Sequence, residues 1–164
     1  MKAHIVYDSA YGNTQSVAEA IAGKLHPLHA SAVPVPEFDL RALAPGDLLV
    51  VGSPVNGWRP TARVTALLAQ LGNGRLQGIN AAAFDTRIRF FIHGDAARKM
   101  TRMLKEGGAR IISDPALFYV QGTEGPLRSG ELDKARAWAE ALLSNVSEGW
   151  GPKPLRPHPP GSED

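Results

Sequence analysis

Ser9-Ala10-Tyr11-Gly12-Asn13-Thr14 places two hydroxyls, a glycine and an asparagine between the apolar run Ile5-Val6-Tyr7 and the helical stripe Val17, Ala18, Ile21 and Leu25. Glycine lets the backbone turn tightly there, and asparagine tolerates left-handed dihedrals. Such a loop can aim successive backbone N–H groups and the hydroxyls of Ser9 and Thr14 at a phosphate, with the helix N-terminus adding a partial positive charge. It contains no Lys or Arg. The Gly-Lys-Ser/Thr ending of a P-loop is absent, and so is the Gly-x-Gly-x-x-Gly fingerprint of dinucleotide binding. An ordinary polar turn uses the same residue types, so the residues alone leave both readings open.

Three further polar segments follow strand-like runs: residues 53–61, residues 85–89 and residues 121–127. Other chemistries find little support. His26 and His29 have no third histidine or carboxylate placed near them, which is a poor start for a metal site. His93 reads as a turn residue. Ser53 has no Gly-x-Ser-x-Gly elbow around it. Gly52-Ser53 stands where a phospho-acceptor aspartate would close the third strand of a receiver domain. With no cysteine in the chain, disulfides, cysteine-ligated iron–sulfur clusters and thiol nucleophiles are excluded, and redox chemistry needs a bound cofactor.

The elements that must position these loops alternate strand and helix, the pattern of βαβ units around a parallel sheet. Strands are expected at residues 3–8, 32–36, 48–52 and 79–85, with a last one at 109–112 that resumes at 117–120. Continuous apolar runs mark strands covered on both faces. Pro34 and Pro36 each remove a ladder donor and push the second strand to the sheet edge. Helices are expected over residues 14–25, along Val64, Leu67, Leu68 and Leu71 as far as Gly72-Asn73-Gly74, and along Ala96, Met100, Met103 and Leu104 as far as Gly107-Gly108. A final helix carries Leu132, Ala135, Ala139, Leu142 and Leu143, with Ser129 as its N-cap. The expected fold is an α/β three-layer sandwich with a doubly wound, five-stranded parallel sheet of order 2-1-3-4-5. Right-handed crossovers put every strand-to-helix loop at one end of that sheet, and a ligand is expected where strands one and three diverge.

Residues 1–148 read as one domain and residues 149–164 as a tail rich in Gly and Pro that cannot build a core. Apolar residues at 43% and charged residues at 21% place the chain with ordinary globular proteins. No apolar run approaches the roughly 20 residues of a membrane span. The N-terminus lacks the pattern of a signal peptide, so a cytoplasmic location is expected. A formal net charge of +2, with Lys and Arg dispersed, argues against nucleic acid as a partner.

Ser9 to Thr14, following Ile5-Val6-Tyr7-Asp8, resembles the phosphate-binding loop of the flavodoxin family, which holds flavin mononucleotide (FMN), and the similarity extends over most of residues 1–144. Ser9 and Tyr11 stand where Thr-x-Thr-Gly is common in that family. The resemblance implies that Ser9, Ala10, Tyr11, Gly12, Asn13 and Thr14 take the phosphate. It implies that Ser53, Pro54, Val55, Asn56, Gly57 and Trp58 face the flavin ring, with Trp58 stacking on it and the Asn56–Gly57 peptide turning toward N5. It implies that Asp85, Thr86 and Arg87 reach the pyrimidine edge. The alternative for Trp58 is packing of its loop, and for Asp85 capping of a turn. Small flavodoxins often put a tyrosine over the outer flavin face; none stands here, and Phe90 and Phe91 are candidates for the core. Residues 121–127 could frame the site or form a plain Gly/Pro turn.

Three functions remain from this reading. The first is an FMN electron-transfer protein serving a redox partner protein or a small redox substrate. The second is an FMN-dependent oxidoreductase acting on a quinone or porphyrinogen. The third is a flavin-free binding module on the same fold. Typical flavodoxins are strongly acidic, whereas Arg59, Arg63, Arg87, Arg89, Arg98 and Lys99 are expected to ring this site, favouring acidic or anionic partners and an easier second electron.

Overall fold

The computed structural model describes residues 1–89 and 95–148, so Phe90, Phe91, His93 and the tail at 149–164 lie outside the described residues. The first strand, β1 (Ala3–Tyr7), is buried along its whole length. It leads into α1 (Asn13–Lys24), whose Val17, Ala18 and Ile21 are buried at helical spacing. Strand β2 (Ser31–Pro34) lies at the edge of the sheet, where a proline costs least. Pro36 falls in the short 3₁₀ turn Val35–Glu37 that follows.

Strand β3 (Leu48–Pro54) and helix α2 (Ala62–Gln70) come next, then β4 (Asn80–Ile88) and α3 (Ala96–Glu106). The chain continues through β5 (Arg110–Ile111) and β6 (Ala116–Val120) to α4 (Glu131–Glu148). All pairings are parallel, in the order β2-β1-β3-β4-β5, with β6 also on β4. This is the expected 2-1-3-4-5 sheet. Its last strand comes in two halves along β4. Asn80 pairs with Arg110, but Phe84 pairs with Ala116, two residues further than unbroken pairing would give. Pro115 lies in the gap and has no N–H to give the ladder.

Two strand ends at the site differ from expectation. Strand β3 includes Ser53 and Pro54, and β4 runs on through Ile88, so residues 85–88 are strand rather than loop. Their ladder partners explain this: Asp85 and Thr86 pair with Ser53 and Pro54, and residues as far as Ile88 pair with β6. The N-cap of α4 is Gly130, not Ser129. Gly130 has φ +84° and its carbonyl accepts the Lys134 N–H.

Helices α1 and α4 cover one sheet face and α2 and α3 the other, each over its own apolar core. On the first face Phe84, Phe118 and Trp138 meet edge to face at 5.8–6.2 Å between centroids. Phe84 fits only because residue 52 is glycine, where a Cβ would stand 2.1 Å from its ring. No helix among the described residues is long and apolar enough to cross a membrane.

Candidate functional site

After Tyr7 the chain turns back on itself through short local bonds. The Asp8 carboxylate accepts the Ser9 N–H at 3.0 Å, and Ser9 Oγ accepts the Gly12 N–H at 3.0 Å. Gly12 takes φ +88°, as its lack of a Cβ allows, and starts α1 without any side-chain cap. Its carbonyl accepts the Ser16 N–H, the first bond of the helix. Among the described residues no hydrogen bond is made by the backbone N–H groups of Ala10, Tyr11, Asn13, Thr14 or Gln15. A concave run of donors at a helix N-terminus is an anion cradle.

Thr14 makes a contact that the sequence alone does not show. Its side chain is buried, and Oγ1 lies 2.8 Å from Thr86 Oγ1, tying the first loop to the end of β4. Asn13 Nδ2 donates to the Glu124 carbonyl at 3.3 Å. Gly125 packs against the same asparagine, where a Cβ would stand 2.5 Å from Asn13 Oδ1. The segment at 121–127 is therefore docked onto the first loop.

The second loop leaves β3 as a tight hairpin. Asn56 and Arg59 exchange both backbone hydrogen bonds, at 2.7 and 3.1 Å, around Gly57 and Trp58. Their φ values of +55° and +72° are those of a type I′ turn. Tryptophan rarely takes that conformation, and here it holds the ring 51% exposed at the cavity edge. Lys99 Nζ donates to the Trp58 carbonyl, and the Val55 N–H to the Thr86 carbonyl. The Asn56 carbonyl is engaged with the Arg59 N–H, so turning that peptide costs one hydrogen bond. Ser53 is fully buried and works inside the loop, donating to the Pro54 carbonyl and accepting the Thr61 N–H.

These loops enclose a cavity of about 310 Å³. Of the residues singled out in the sequence, Ser9, Ala10, Tyr11, Asn13 and Thr14 line it from the first loop. Pro54, Val55, Gly57 and Trp58 line it from the second, and Thr86 and Arg87 from the end of β4. Gly12, Ser53, Asn56 and Asp85 are not among its lining residues; they shape the backbone around it. Ile88, Val120 and Thr123 also line it. Ile88 and Val120 end neighbouring strands, a position from which the doubly wound order alone could have placed them at the site.

Arg87 is not one of the exposed cations. It is buried and forms a two-pronged ion pair with Asp85, itself fully buried. Asp85 also accepts the Ala97 N–H at 2.9 Å, so its charge meets the positive end of α3. Burial pushes the Asp85 carboxyl up from its ordinary value, against the pull of Arg87 and the Ala97 amide. Burial likewise works against the Arg87 charge, but Asp85 holds the guanidinium above its ordinary value. The paired guanidinium and amide donors are those of an ionised Asp85, and we take the pair as charged on both sides.

Of the other cations expected around the site, Arg59, Arg63, Arg89 and Arg98 are exposed and Lys99 is half-buried. Arg63 reaches Asp8 at 3.8 Å and Arg98 reaches Asp95 at 2.9 Å. Arg89 lies over the Tyr119 ring at 5.8 Å. Among the described residues no His, Cys, Asp and Glu group is arranged to hold a metal.

Residues 5–140 match the family described as Flavodoxin. Among solved structures, the chain is similar to oxidised flavodoxin 2 from Bacillus cereus, with a TM-score of 0.75 and 21% identity over 88% of this chain and 99% of that one. It is also similar to a flavodoxin from the domain Archaea, with a TM-score of 0.70 and 21% identity over 90% of this chain and 99% of that one. Rubredoxin oxygen:oxidoreductase from Desulfovibrio gigas gives a TM-score of 0.72 at 16% identity, with 89% of this chain matching 36% of that one. No curated protein matches the sequence. At these identities the structural likenesses speak for the fold.

Proposed function

This chain belongs to the flavodoxin family, and we propose that it binds FMN in the cavity between its first and second loops and passes electrons to a redox partner. The observation that carries this reading is the row of amides at Ala10, Tyr11, Asn13, Thr14 and Gln15 with no partner among the described residues, in the loop that lines the cavity edged by the exposed Trp58. A dianionic phosphate fits the first feature and a flat aromatic ring the second. FMN supplies a ring that accepts and releases electrons when bound, chemistry that a chain without cysteine does not supply through thiols.

The residues then divide the work. The amides of the first loop and the hydroxyls of Ser9 and Thr14 hold the phosphate. Trp58 covers one ring face, and Pro54, Val55, Ile88 and Val120 form apolar walls. The buried Thr14–Thr86 pair fixes the spacing between the phosphate end and the ring end of the cavity. Arg87 contributes its backbone and stem there, because its charge is spent on Asp85.

Tryptophan fluorescence tests the ring position. Adding FMN to the apoprotein should quench Trp58 strongly, while Trp138 is held in the α1–α4 core by a bond from Nε1 to Ser113. In Trp58→Ala most of that quenching should disappear. Quenching that survives the substitution unchanged would place the ring elsewhere.

A further inference from the structure

Resting on the FMN reading, we propose that the α2–α3 face is the docking surface for an acidic electron-transfer protein. The net charge of +2 hides a segregation between the two helical layers. Helices α2 and α3 carry Arg63, Arg98, Lys99, Arg102 and Lys105 against Glu106 alone. On the opposite layer, α1 and α4 carry Glu19, Glu131, Asp133 and Glu140, the last three of them paired with Lys134, Arg136 and Lys24. One helical layer is basic and the other close to balanced.

The basic side is ordered and continuous with the cavity. Arg98, Arg102 and Lys105 are exposed at spacings of four and three, one stripe about 10 Å long on α3, while Met100 and Leu104 point into the core. Among the described residues Arg59, Arg102 and Lys105 have no ion-pair partner, so their fields reach outward. Lys99 joins this stripe to the ring loop through its bond to the Trp58 carbonyl, and the exposed Arg59 follows Trp58 directly. A partner attracted to the stripe meets the exposed edge of Trp58, next to the proposed flavin.

An uneven charge distribution orients a compact partner as well as attracting it. A long polyanion fits less well, because the stripe is short and the opposite layer offers no excess of positive charge. In each productive encounter the partner's redox centre loses one electron and the bound flavin gains one.

The test uses the FMN-loaded full chain with a reduced, acidic plant-type [2Fe–2S] ferredoxin as probe. The second-order rate of electron transfer should fall about tenfold between roughly 10 and 300 mM salt. Arg102→Glu with Lys105→Glu should lower the low-salt rate about tenfold, and calorimetric ferredoxin affinity with it, while FMN affinity stays unchanged. Lys134→Glu with Arg136→Glu, on the opposite layer, should leave the rate as it was. Rates indifferent to salt, or equal slowing by both double variants, would overturn the docking face and leave the FMN reading standing. Retention of a 20-base-pair DNA duplex at 150 mM salt would also overturn it, assigning the stripe to nucleic acid. A chain that takes up no FMN at all would remove the reading beneath it and the proposal together.

Discussion

FMN is expected to bind the apoprotein about a thousandfold more tightly than riboflavin, since about 4 kcal/mol separates affinities that far apart. That difference is modest beside what the first loop offers. Hydrogen bonds to a charged group contribute about 1.5–3 kcal/mol each, and several amides there have no other partner among the described residues. The role of Thr14 can be read within the same comparison. Thr14→Ala should weaken FMN about tenfold or more, but it also strips Thr86 of its buried partner at 2.8 Å. That second effect falls on riboflavin as well. The diagnostic quantity is therefore the ratio of the two affinities, measured by titration for wild type, Thr14→Ala and Thr14→Ser. The ratio should shrink in the alanine variant and recover in the serine variant. Equal losses for both ligands would mean that Thr14 only braces the cavity.

The second large effect concerns stability. Asp85→Ala should destabilise the apoprotein by about 3–5 kcal/mol, because it leaves the buried Arg87 charge without its main partner. The Asp95 carboxylate at 3.6 Å from Arg87 is half exposed and compensates only in part. The start of α3 suffers too, since the Ala97 amide loses its acceptor. Adding Arg87→Met should restore much of the loss, because the cost comes from the orphaned charge more than from the missing contact. Denaturant unfolding of the three proteins checks this. A loss below about 1 kcal/mol in Asp85→Ala, or no recovery in the double variant, would contradict a buried, ionised pair.

The fold was legible because its central strands are continuous apolar runs and α2 and α3 stop close to glycines. Pro34 and Pro36 placed the second strand at the edge, as observed. The loops of the site were legible by position, since a doubly wound sheet collects them at one end. Side-chain pairing was less so. Asp85 and Arg87 look like polar loop residues in the sequence, and Arg87 looks like a free cation. Only the long ladder of β4, with partners on both sides, shows that both point into the protein and cancel each other. The same holds for Thr14, whose hydroxyl finds Thr86 far along the chain, and for Asn13, which meets Glu124 and Gly125. Such contacts depend on the register between distant strands, which local patterns do not carry.

The most direct measurement is a titration of FMN into the purified apoprotein, followed by visible absorbance and by the emission of free flavin. One equivalent should bind tightly, with flavin bands shifted from their solution positions and flavin emission quenched against Trp58. Bands that keep their solution shape throughout, with emission rising linearly from the first addition, would contradict the FMN reading.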